Sequence, residues 1–490
     1  LQTVNTYLSA RFINACLLAL SITLTYTGGP SYAATTTTDL TELSLDDLMN
    51  IEITSVSKKT ERLSEAAASI FVITREDIRQ SGYNSIPEVL RLAPNLQVAR
   101  VDSSQYAITA RGFNSTTANK LLVLIDGRTV YTPLFSGVFW DAQDTLLEDI
   151  ERIEVISGPG GTLWGSNAVN GVINIITRRS QDTKGGLVSL GGGTKDRVAG
   201  VRYGANLGEN ATFRVYGKGF DRENTTLGNG MNVEDAWKKG QVGFRTDWMQ
   251  GSDALTLQGD GYTGTIAQVG DDKSISGANM LGRWNRTFQD GSALQVQAYF
   301  DRTRRVYPGV FKEQLDTYDI EAQHRFQVGE RHELVLGGGY RMMHDAVTNG
   351  TGLAFLPSVF PLTRINGFIQ DSIALHERLK LTLGVKLETN SFTGLEVQPN
   401  ARLAWKFKDD ALLWAAISRA VRVPSRLDTD LFAPGQPPFL LAGGPNFKAE
   451  KVIAYEVGYR AQLTPQASLS VSTYYNMYDD LRSIEPGPGG

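Results

Sequence analysis

From about residue 186 to its end the chain alternates apolar and polar side chains with a period of two, and no other feature limits its possible folds as strongly. Leu294, Val296, Ala298 and Phe300 interleave with Gln295, Gln297, Tyr299 and Asp301. Ile320, Ala322, Phe326 and Val328 interleave with Asp319, Glu321, Gln323, Arg325 and Gln327. Leu379, Leu381, Leu383, Val385 and Leu387 do the same with Lys380, Thr382, Lys386 and Glu388. Successive side chains of a strand point to opposite faces, so each segment has one oily and one charged face. The segments run to ~9–11 residues, the length at which a tilted strand crosses a bilayer. A membrane barrel turns the oily face to lipid and keeps the polar face inside. A soluble sandwich also alternates, with its polar face outward, and the period alone does not separate the two.

The connections carry a second pattern. Short turns around Gly208, Gly251, Gly329, Glu377, Asp409 and Gln466 alternate with long polar stretches at 221–240, 262–278, 303–316, 344–364 and 419–451. Barrels of the outer-membrane kind have short turns at one end and long loops at the other. The count is about fifteen strands, the last at 467–478. Net charge is only −4, which argues against a nucleic-acid binder with a basic footprint. Mean hydropathy of −0.20 and scattered charge exclude a bundle of transmembrane helices, each of which needs ~20 consecutive apolar residues.

The first half reads differently. Residues 149–178, DIERIEVISGPGGTLWGSNAVNGVINIITR, are a buried-strand pattern, a glycine-rich turn and a second buried strand. The run LLVLIDGRTVY places Asp126-Gly127 between apolar flanks, a strong hairpin signal. A strand is expected at 70–74, followed by a helix capped by Thr74 and Asp77 that ends near Gly82. Asn84 or Ser85 opens a further helix with Pro87 in its first turn, and Pro94 stops it. Strands are expected at 96–100 and 106–111. The glycine-rich turn is no nucleotide loop. A phosphate loop ends in Gly-Lys-Ser/Thr where this one continues Thr162-Leu163-Trp164, and Leu163 occupies the place of the third glycine of a dinucleotide motif.

These elements, with Arg111-Gly112-Phe113, LLVLIDGR, ERIEVISGP, GTLWGSNAVNGVINIIT and the lead-in LSLDDLMNIEITSVSKK, resemble the plug domain of TonB-dependent outer-membrane receptors. SRAVRVPSRLD and KAEKVIAYEVGYR resemble barrel segments of the same family, so the likeness covers essentially the whole chain. It implies a small α+β plug domain inside an antiparallel transmembrane β-barrel of the 22-strand type, of which about 15 strands are present. Barrels with a plugged lumen close at ~22 strands, so about seven are expected to be missing and the chain to be truncated at its C-terminus. The implied organisation is a signal peptide at 1–34, an N-terminal extension at 35–60, the plug at 61–180 and a partial barrel at 186–490.

The signal peptide also follows from the residues themselves: an apolar run, FINACLLALSITLTY, preceded by Arg11 and followed by a small-residue site near Ala33. The single cysteine, Cys16, lies within it, so neither a disulfide nor a thiol nucleophile is expected in the mature protein. Beyond it, Ser44 and Asp47 suggest a capping box before a short helix. In the family an extension of this kind carries the TonB box, and the best match is Ile51, Glu52, Ile53, Thr54, Ser55, Val56 and Ser57. A mobile strand with free backbone donors and acceptors can be captured as an added strand. The plainer reading is a linker into the plug.

Arg111, Glu151, Glu154 and Arg178 are read as plug–barrel contacts on the family's pattern, the alternative being solvated strand-edge charges. No catalytic constellation emerges, and an enzyme is not expected. His332-Glu333 and His376-Glu377 lack the second histidine of a zinc-protease motif. Met342-Met343-His344-Asp345 contains soft and hard metal ligands, but the two methionines fall on opposite faces of a strand, so no metal site is expected. Trp284, Trp405, Tyr455, Tyr459 and Tyr475 could belong to interfacial girdles or to a ligand site. The resemblance implies a receptor in the outer membrane of a Gram-negative bacterium, embedded in lipid, with TonB as partner, no cofactor and no nucleic acid. Its cargo would be a scarce small molecule, a ferric siderophore first, with cobalamin, haem or another metal chelate as alternatives. A passive plugged porin and a non-transporting surface receptor are the competing classes.

Overall fold

The structure, a computed structural model, describes residues 51–464 and 466–483. The expected signal peptide and the helix expected after Ser44 lie outside the described residues.

The described chain opens on two short paired strands, β1 (Glu52–Ile53) and β2 (Glu61–Arg62). β3 (Ser69–Thr74) leads into the helix Arg75–Ser81. That helix starts where the sequence places its cap: the Thr74 hydroxyl accepts the Asp77 N–H at 3.1 Å, and the Asp77 carboxylate accepts the Thr74 N–H at 2.8 Å. Gly82, at φ 68°, closes it. Next come the helix Ile86–Val89 behind Ser85, then β4 (Gln97–Arg100), β5 (Tyr106–Thr109), β6 (Leu121–Ile125), β7 (Arg128–Thr129), β8 (Ile150–Ser157) and β9 (Gly171–Thr177). Five of these make one sheet in the order β3-β8-β9-β6-β7, with β6 and β9 parallel. The β6–β7 turn is Asp126-Gly127, at φ 51° and 81°, the doubly positive pair that a two-residue hairpin of the right twist requires. Ile73, Ile153, Val155, Ile173 and Ile175 form the core against Ile86, Val89 and Leu90 from the helical side.

The rest is a fifteen-stranded antiparallel sheet from Gly185–Gly192 to Ala467–Asp479, in which every strand pairs with its neighbours in the chain. Its charged face is turned in against the first domain and its oily face is bare. Lys386 and Glu388 are 2% and 1% exposed, whereas Leu387 between them is 49% exposed. That inversion excludes a water-soluble sandwich and fits a wall set in lipid, where only apolar side chains can face outward.

The connections depart from expectation in one respect. Residues 303–316 were expected as a long loop, yet the strands Ala293–Tyr307 and Phe311–Val328 continue through them and turn at 308–310. The strands also run on into 344–364, to Asn349 and from Val359, and into 262–278, to Ile266 and from Lys273. Lengthening the ladder satisfies backbone groups that a loop would leave to water. The connection 423–449 keeps its length and holds the helix Arg426–Thr429 and two short strands, Leu431–Ala433 and Leu441–Ala442. The first of these pairs with Ala354–Phe355.

Candidate functional site

The segment at Ile51–Ser57 is seated, not free. Ile53 is fully buried and Val56 nearly so, among Ala66, Ile70, Leu122, Leu124 and Val172. Only Glu52 and Ile53 are in strand conformation; Ser55, Val56 and Ser57 form a turn, and Lys58 stands at φ 54°. The Thr54 and Ser55 N–H groups donate to the Glu154 carboxylate at 3.0 and 2.8 Å. Trp164 Nε1 donates to the Ser55 carbonyl at 2.9 Å, and Asn174 Nδ2 to the Ser55 hydroxyl at 3.0 Å. The expectation of a mobile strand with free donors and acceptors is therefore corrected: in this structure the segment is largely buried, and the Thr54 and Ser55 N–H groups and the Ser55 carbonyl are taken. One carboxylate receiving two successive N–H groups bends the chain out of ladder geometry. Downstream, Lys58 pairs with Glu321, midway along its wall strand, and Lys59 with Glu333, beside the short turn that follows that strand. The Lys58 ammonium also lies over the rings of Trp164 and Phe368, at 4.9 and 4.8 Å.

A belt of ion pairs holds the first domain to the wall. Asp149 faces Arg202 and Arg214, Asp144 faces Lys218 at 2.7 Å, Asp141 faces Arg305, and Arg128 faces Asp301. Asp126, the hairpin residue, accepts from the Thr177 N–H and hydroxyl at 2.8 Å each and from Gln258 at 2.9 Å, with Arg245 at 3.9 Å. Burial alone would raise the Asp126 carboxyl; the Arg245 charge and those hydrogen bonds outweigh it and hold the group below the usual carboxylate range. These residues were legible only as turn formers or as charges inside apolar runs, because their partners lie far away in sequence.

Of the four charges singled out from the sequence, Arg111 reaches the wall by its side chain. It pairs with Glu456, donates to the Ser157 carbonyl at 3.0 Å and lies 4.1 Å over the Tyr474 ring. Glu154 points inward and serves Thr54, Ser55 and, at 2.9 Å, Arg152. Glu151 and Arg178 meet each other at 3.7 Å, with Glu151 half exposed, and the wall touches Arg178 through its carbonyl, which accepts from Arg214. Glu154 shares its face of β8 with Ile156, the face that the segment covers, whereas Glu151 sits at the register irregularity between Ile150 and Arg152, at the exposed start of the strand.

At the end of the long connections the SRAVRVPSRLD motif builds a buried charge cluster. Arg422 pairs with Asp428 and, at 2.7 Å, with Glu450, which also takes Lys120 of the first domain. Arg426 is held at 2.9 Å by both Asp345 and Asp430. Burial pushes the Lys120 ammonium down, and Glu450 offsets this only in part. Burial would raise Asp428, but the Arg422 charge and the Ser425 hydrogen bonds hold it low. Leu134 and Phe135 of the first domain pack under the same cap against Phe311, Val347 and Phe355. Met343 is buried with Leu315 and Leu362 while Met342 is exposed, so the two methionines do diverge. Among the described residues no group of three or more His, Cys, Asp or Glu side chains is placed to hold a metal.

Comparison with known proteins adds the family. A model described as the TonB-dependent Receptor Plug Domain matches residues 62–172, and one described as TonB dependent receptor-like, beta-barrel matches residues 174–490. An iron-regulated outer membrane virulence protein of Vibrio cholerae is 25% identical over 452 residues, 85% of this chain and 67% of that protein. A vitamin B12 transporter of Photobacterium profundum is 25% identical over 461 residues, 89% of this chain and 71% of that protein. Another, of Vibrio vulnificus, is 35% identical over 144 residues, 29% of this chain and 23% of that protein. Among solved structures, the siderophore receptor PirA of Acinetobacter baumannii superposes with a TM-score of 0.71 at 16% identity, over 86% of this chain and 72% of that one.

Proposed function

Because the chain belongs to the TonB-dependent receptor family of the Gram-negative outer membrane, we propose that it is an active importer whose cargo is a ferric siderophore. One observation carries the reading: a folded domain fills the polar inside of the wall and keeps the segment at Ile51–Ser57 seated, while the residues that follow it, Lys59 and Glu61, pair with Glu333 and Lys380 beside the short turns of the wall. A domain fixed by this many buried ion pairs does not leave a passive pore, so passage needs work, and the seated segment is where work can be applied. TonB takes the segment as an added strand, binding mainly through main-chain hydrogen bonds. Force through it moves or partly unfolds the plug. Ligand favours that step by binding the signalling-competent form more tightly than the resting one.

Siderophore cargo is supported by the iron-regulated relative and by the siderophore-receptor fold neighbours. Cobalamin is the second reading, supported by the 35% identity shared with a vitamin B12 transporter. The test is growth and labelled-ligand uptake by cells expressing the gene on defined ferric siderophores, haem and cobalamin. Import of one ligand, abolished by a protonophore, supports the proposal; uptake indifferent to the protonophore identifies a porin. Binding without import identifies a non-transporting receptor.

A further inference from the structure

Every hydrogen-bonding group of Ser55 is occupied from within its own domain. Its N–H goes to Glu154, its carbonyl receives Trp164 Nε1 and its hydroxyl receives Asn174 Nδ2, while the Thr54 N–H shares the same carboxylate. Glu154 is wholly buried at the middle of β8, paired in register with Val72 of β3 and Asn174 of β9. An added strand binds through the main-chain N–H and C=O groups of its target. Any strand laid along this segment must therefore displace these groups first.

We infer that Glu154 masks the segment: its carboxylate takes the place of a partner strand at Thr54 and Ser55 and sets how rarely they are exposed at rest. The inference rests on the TonB reading above and adds the residue that regulates it. The chemistry suits the role. A carboxylate accepts N–H donors about twice as strongly as a neutral acceptor. Receiving two consecutive N–H groups keeps the chain curled, and the curl at Ser55–Ser57 is incompatible with ladder pairing. Lys58 and Lys59, fixed on Glu321 and Glu333, hold the downstream end so that the curl cannot slide free.

The experiment uses the whole chain in lipid nanodiscs and needs no ligand. Amide hydrogen exchange is measured at Thr54 and Ser55, together with affinity for the isolated periplasmic domain of TonB, in wild type, Glu154→Ala and Glu154→Gln. Exchange at both amides should quicken roughly ten- to a hundred-fold in Glu154→Ala, with amides of β3, β8 and β9 unchanged. TonB-domain affinity should rise by the same factor, because apparent affinity scales with the exposed fraction. Glu154→Gln, which keeps an acceptor but not the charge, should fall between. Trp164→Phe, which removes the bond to the Ser55 carbonyl while keeping an aromatic ring at that position, should give a smaller rise in both readouts. Unchanged exchange at Thr54 and Ser55 in Glu154→Ala overturns the mask, and so does faster exchange without a gain in affinity. Failure of the importer reading would show separately, as absence of ligand uptake, and would leave the exchange result standing.

Discussion

Arg111 of the plug and Glu456 of the wall form an ion pair across the boundary between them, with 4% and 7% of the two side chains exposed. The same guanidinium donates to the Ser157 carbonyl, so one side chain ties the end of β8 to the sheet. Such a pair gains little over an apolar replacement, but deleting one partner strands a buried charge at a cost of about 3–5 kcal/mol.

Glu456→Ala should accordingly loosen the plug by about 3 kcal/mol. The double variant Arg111→Met with Glu456→Ala should recover part of that loss. Urea unfolding of the plug, arranged as a double-mutant cycle, reads the coupling. Additive losses would mean that the two residues act independently.

Val56→Pro separates seating from capture. The Val56 N–H makes no hydrogen bond among the described residues, so proline there costs the seated form no donor and only part of the buried packing of the Val56 side chain. It does remove a donor that an added strand needs. Energy-dependent uptake should fall to the level seen with a protonophore, while ligand binding at the cell surface persists. Undiminished uptake would move the TonB-binding site elsewhere.

Asp126 sets an acid limit on the plug. Its folded carboxyl titrates below the ordinary value of about 3.9, so its contribution is complete above that pH and is lost as the pH falls through the lower folded value. Asp126→Asn should lower the plug's thermal midpoint at neutral pH and flatten its decline below about pH 4. A parallel decline in both proteins would assign the acid limit to other carboxylates.

The cap over the plug depends on Arg426, which is fully buried between Asp345 and Asp430. Arg426→Ala leaves two buried carboxylates facing each other and should cost the cap about 3–5 kcal/mol. Limited proteolysis should then cut within 423–449 while the strands of the wall stay resistant. Cleavage kinetics equal to wild type would show that the loop is held by the Phe355 and Leu134 packing instead.

Much of this molecule is legible in its sequence. The cap of the helix Arg75–Ser81, the Asp126-Gly127 hairpin and the face that each wall strand presents follow from local rules, because each is decided within a few residues. The charge partners were not readable in that way. Glu154 and Glu151 are three residues apart in one strand, and nothing local says that one receives a backbone segment while the other meets Arg178. The length of the wall strands beyond the bilayer was missed for the same reason, since residues 303–316 are polar enough for a loop and are kept in the ladder by their neighbours.

The amino-acid order by itself determined two things: a β-wall with an oily and a charged face, and a compact glycine-turned domain ahead of it. Period and turn chemistry are short-range and survive without context. Only the tertiary structure decided that the charged face closes on that domain, and that Thr54 and Ser55 rest on Glu154 instead of projecting as a free strand. Both depend on where residues from about fifty to several hundred positions apart come to lie. A buried charge is tolerable only beside its partner, so those pairings exist only once the whole chain has been laid down.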